Sequence, residues 1–283
     1  MSSKEPYDLL DDEEYEEIRT LDGNIVSTET LRNTDFESIK NDLPLLICLA
    51  FVKYEPVSEV IKYLQGFDKL EVFHRTIEMV HLYPDLAYRA YNILGEAVGH
   101  VAAEWLKTQW AKSEDHDLRF FAKPFIQCLG VDAAFEIITK EIEQTDIGNI
   151  GSELEELLLF KDDRVLDWIE SMCNRITTIK TQWGHLAAGS NFSWQRAEKW
   201  LSYGRPLSLI ALDALMFCTT HHRHKDNFNS FQTICDSLPD FPGYEIVVGR
   251  LQEYLLHDCS ARSVNTVKSI LENMKFPPYS GSL

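Results

Sequence analysis

From Asp35 onward, apolar residues recur at three- and four-residue steps, the period of an amphipathic helix. The clearest segment follows Pro84, where a proline at a first helical position gives up only an orphan donor. Leu86, Ala90, Ile93, Leu94, Ala97, Val98, Val101 and Trp105 then draw one apolar stripe and predict one long helix. Gly95, Gly99, Ala102 and Ala103 keep parts of that helix slim enough for a neighbour to approach closely. Val131, Phe135, Ile138 and Ile142 form a second stripe, and Ser152 with Glu155 has the spacing of a capping box. A third stripe, Val165, Leu166, Ile169, Met172, Cys173 and Ile176, follows Asp162-Asp163, and Ser193 is placed to cap a helix bearing Trp194, Ala197, Trp200 and Leu201. After the break at Gly204-Arg205-Pro206, Leu207 to Phe217 is apolar nearly all round, as expected of a helix buried on most sides. Further helices are expected over 228–238, 244–257 and 263–274, and no convincing run of period two is found. The expected class is all-α.

Two segments share a second pattern. Asp162 to Ile169 and Gly204 to Leu215 each have a turn carrying Asp, Arg or Pro and then an apolar helical stretch, and they begin about 42 residues apart. Each resembles the second helix of a HEAT-type repeat, with weaker echoes at Pro84-Asp85-Leu86 and Asp117-Leu118-Arg119. The steps between these starts are uneven, about 33, 46 and 42. The resemblance implies an irregular α-solenoid of antiparallel helix pairs, a compact helical array being the alternative. A solenoid would present a long curved surface suited to gripping a partner, in scaffolding, adaptor or inhibitor work.

Charge separates the ends of the chain. The 283 residues carry a formal net charge of −18, and the stretch from Met1 to Asp42 holds 13 acids and 4 bases, half of that total. Residues 1–34 read as an acidic arm and 35–283 as the helical body. Asp11, Asp12, Glu13, Glu14, Glu16 and Glu17 lie too close together for a stable isolated helix. Such a surface is repelled by phosphate backbones and by anionic membranes, so neither nucleic acid nor a membrane is expected as a partner. A basic protein would be steered in quickly. Acidity also serves solubility, which weighs as heavily as the partner reading.

The longest apolar run, Leu43 to Val52, is too short to span a bilayer, and the start of the sequence has no signal-peptide character. Six scattered cysteines without Cys-x-x-Cys read as small buried hydrophobes of a reducing, cytoplasmic setting.

Candidate chemistry is sparse. His221-His222-Arg223-His224-Lys225-Asp226 contains His-x-His-x-Asp, which resembles the first half of a metallo-β-lactamase metal motif. Asn227 stands where that family has its final histidine, and no strand precedes the string, so a polar helix terminus is the better reading. Glu96, His100 and Glu104 fall at four-residue steps flanking the apolar stripe, with Glu104 turned furthest towards it. They could bind a metal, but an ion-pair ladder completed by Arg89 and Lys107 fits better. No phosphate-binding loop, nucleophile elbow or zinc-protease signature is present. Trp110 and Trp183 lie in polar sequence and are candidate interface anchors, a Trp tucked over a helix end being the competing reading.

The resulting expectation is a non-enzymatic, cofactor-free module. It binds a basic protein partner, as an immunity- or antitoxin-type inhibitor of a toxin such as a nuclease would. An adaptor or scaffold subunit and a metal-dependent hydrolase are the alternatives.

Overall fold

A computed structural model describes residues 16–52, 57–113, 117–144, 152–176 and 181–220, with four isolated positions beyond. The described chain is helical apart from one small sheet. It divides into two compact units, 1–141 and 142–283. Among the described residues no helix is long and apolar enough to cross a membrane.

The first unit opens with strands β1 (Glu17–Arg19) and β2 (Ile25–Ser27), antiparallel with Ile18 opposite Val26. These strands correct the expectation that none would form. Strands this short cannot display an alternation, and only Ile18 is driven inward. Gly23 takes a φ of 85° in the intervening turn, a conformation that only glycine adopts freely. Helix α1 (Thr28–Arg32) follows, capped by the Ser27 hydroxyl, with Leu31 buried. Regular structure is therefore present within the stretch read as the acidic arm.

Next come α2 (Phe36–Ile39), α3 (Leu43–Val52), α4 (Val57–Leu64) and α5 (Lys69–Leu82). The apolar run Leu43–Val52 forms the central helix of this unit, packed against α1, α4, α5 and α6 (Ala87–Ile93). Its last carbonyls would be orphaned in that apolar setting. Two arginines reach them instead: Arg32 Nε donates to Val52 O at 3.3 Å and Arg89 Nη1 donates to Phe51 O. Both guanidiniums also sit at the negative end of the helix dipole. Arg89 is thus taken from the ion-pair ladder expected of it.

The long helix predicted after Pro84 is broken into several pieces. A 3₁₀ turn (Pro84–Leu86) leads into α6, followed by a π-helical turn (Leu94–Val98), a second 3₁₀ turn (Gly99–Ala102) and α7 (Ala103–Lys112). Gly99, at φ 68°, allows the break. The close approach expected at Gly95 is present. A Cβ there would lie 3.2 Å from Pro124 Cα and would overlap Gln127 Oε1, both on α8 (Leu118–Leu129). Side chains also take up carbonyls of the π turn, with Cys128 Sγ donating to Leu94 O at 3.6 Å and Gln65 Nε2 to Glu96 O at 3.0 Å. Gly130, at φ 86°, ends α8, and α9 (Val131–Gln144) runs across the unit boundary.

The second unit contains the end of α9, a 3₁₀ helix (Ser152–Leu159), α10 (Asp163–Met172), α11 (Thr181–Gly189), α12 (Trp194–Tyr203) and α13 (Leu207–Thr220). The expected Ser193 cap forms, its hydroxyl accepting from Arg196 N, and Asp162 caps α10 in the same way. Leu207 to Ala214 are all buried, as the apolar sequence requires. Gly204 takes φ 77° in the break before α13.

The side-by-side contacts in this unit have a regular sequence offset. Asp163 meets Asn191, and Glu170 meets both Lys199 and Trp200, separations of 28, 29 and 30 residues. Asp167, between the two acids, meets Arg196. Their order makes α10 and α12 run in the same direction. In the other layer Gly184 of α11 lies against Asp213 of α13, at the same spacing. Leu158 of the 3₁₀ helix lies against Gly189 of α11, at a spacing only slightly longer. Successive pairs are therefore stacked with a nearly constant offset, an arrangement compatible with a helical repeat. The longer spacing read from sequence joins α10 to α13, helices of different layers. Their N-terminal turns look alike, whereas stacking is decided by which faces are apolar.

Close approach at Gly184 is strict. A Cβ built on it would overlap Asp213 Cβ and lie 3.0 Å from the Asp213 carbonyl carbon, which belongs to backbone. Gly184→Ala should therefore lower the unfolding free energy by about 2 kcal/mol, although alanine favours a helix by about 1 kcal/mol. An unchanged or raised urea midpoint would show that the two helices are free to separate.

Candidate functional site

The sequence-predicted residues that the structure describes lie on separate elements. Asp11, Asp12, Glu13 and Glu14 lie outside the described residues, as does the string from His221 to Asp226. Glu16 and Glu17 are exposed on and beside β1, with the Glu16 carbonyl accepting from Thr28 N. Trp110, half-buried near the end of α7, packs edge-on against Phe121 and Phe125, with ring centres 5.0 and 5.4 Å apart.

Trp183 requires a correction. It is 0% exposed and stacks on Trp168 at 5.8 Å, so it is no surface anchor in this structure. Its polar neighbours in sequence misled because a helix turns them to other faces while Trp183 points inward.

The Glu96-His100-Glu104 row is dispersed by the breaks around Gly99. Glu96 pairs with Lys123 of α8 at 2.6 Å, His100 is exposed, and Glu104 pairs with Lys107 at 2.9 Å. Far from turning inward, the Glu104 side chain is 86% exposed. Only the Lys107 rung of the expected ladder forms. Among the described residues no group of three or more His, Cys, Asp or Glu is placed to hold a metal ion.

The strongest polar constellation among the described residues carries no motif in the sequence. Glu170 on α10, its side chain 20% exposed, accepts three donors from α12: Arg196 Nη1, Lys199 Nζ at 2.7 Å and Trp200 Nε1 at 2.7 Å. Arg196 also pairs with Asp167 at 2.9 Å. Burial pushes the Glu170 carboxyl up, but the bonds from Lys199, Trp200 and Arg196 outweigh it and hold the pKa at about 2. The signal was available in two pieces. Glu170 continues the polar side of the α10 stripe, and Arg196, Lys199 and Trp200 cluster within about one turn of α12. Only the stacking of α10 on α12 joins them.

The same link recurs one layer earlier, where Trp168 Nε1 donates to Glu143 Oε1 at 2.8 Å and Arg175 Nη2 to the Glu143 carbonyl at 2.6 Å. In both layers an indole N–H and a guanidinium from a later segment meet one glutamate.

Beside the Glu170 cluster an open groove of about 720 Å³ is lined by Asp163 and Asp167 from α10 and by Ser193, Gln195, Lys199 and Ser202 from the α12 side. A carboxylate held at about 2 stays ionised and is poorly suited to exchange protons near neutral pH. Among the described residues, burial pushes the Cys48 thiol up to about 11 and the Cys128 thiol up to about 12, so neither is a ready thiolate. The charged groups of the cluster join helices.

No known protein family matches the chain, and no curated protein or solved structure is detectably similar to it.

Proposed function

We propose that this protein is a non-catalytic binding module for a basic protein partner, built on a HEAT-like stack of helix pairs. The observation that carries the reading is charge: half of a net −18 falls between Met1 and Asp42. A field of that sign accelerates the approach of a cationic surface and disfavours nucleic acid. The stacked helix pairs of the second unit support the scaffold half of the reading, since such arrays offer extended faces to partners. Within this reading the partner is a toxin with a basic, phosphate-binding surface, which the module neutralises by covering it.

Capture of partners from native lysate, followed by mass spectrometry, is the first test. One stoichiometric basic protein that is harmful when expressed alone supports the inhibitor. Several subunits of one assembly, none of them toxic, favour an adaptor or scaffold, the reading to which the layered stack also lends itself. With the partner in hand, reversing Asp11, Asp12, Glu13 and Glu14 to Lys should slow association about tenfold or more at low salt and flatten its salt dependence. Association kinetics that ignore this reversal would remove the arm from the interface.

A further inference from the structure

We draw no further inference here: the strongest candidate, the open polar groove between α10 and α12, rests on the acidic pair Asp163 and Asp167 and the N-terminal turns of two helices, its cations Arg196 and Lys199 are already held by Glu170 and Asp167, and nothing in the structure shows what fills it.

Discussion

Glu170→Ala lowers the unfolding free energy by about 3 kcal/mol, because it removes the shared acceptor of three donors at the junction of α10 and α12. Arg196 keeps one partner in Asp167, which limits the loss, whereas the buried Trp200 indole loses its acceptor. Glu170→Gln should cost less, since an amide oxygen still accepts from Trp200 but no longer balances two cations. The same group has a pH signature. Its folded pKa of about 2 lies below the ordinary 4.5, so its stabilisation is complete above about 4.5 and is lost as pH falls towards 2. After solvent screening on its open side, the amount at stake is about 2 to 3 kcal/mol. Urea midpoints measured between pH 7 and pH 3 should fall on the acid side for the natural protein and fall less for Glu170→Gln. Parallel acid limbs for the two would mean that Glu170 does not carry the linkage.

Trp183→Ala and Trp200→Ala should each cost about 4 kcal/mol, the range for truncating a large, fully buried aromatic side chain. Phenylalanine separates the two sites. Trp200 loses a hydrogen bond to a charged acceptor, worth about 1.5 to 3 kcal/mol, in addition to volume. The Trp183 Nε1 is buried without a hydrogen-bond partner among the described residues, so Trp183→Phe loses volume and also removes an unsatisfied donor. Trp183→Phe should therefore be milder than Trp200→Phe by at least about 1 kcal/mol. Equal losses in equilibrium unfolding, followed by the fluorescence of the remaining tryptophans, would contradict the different hydrogen bonding of the two indoles.

The all-α class, the burial of α13, the cap at Ser193 and the close approach at Gly95 were all legible in the sequence. Each depends on residues within a few turns of one another: an apolar period, a hydroxyl before a helix, a glycine in a slim stretch. The hairpin was illegible because strands so short carry no period. The break at Gly99 was illegible because the apolar stripe runs on through it, and the π turn beside it is stabilised by Cys128 and Gln65 from other helices. That α10 stacks on α12, that Trp183 points inward and that Glu170 gathers Arg196, Lys199 and Trp200 emerges from the packing alone. These depend on which helix faces meet. A helix specifies its own apolar stripe, but the partner for a charge or an indole on the edge of that stripe is supplied by another helix, distant in sequence and adjacent only in the stack.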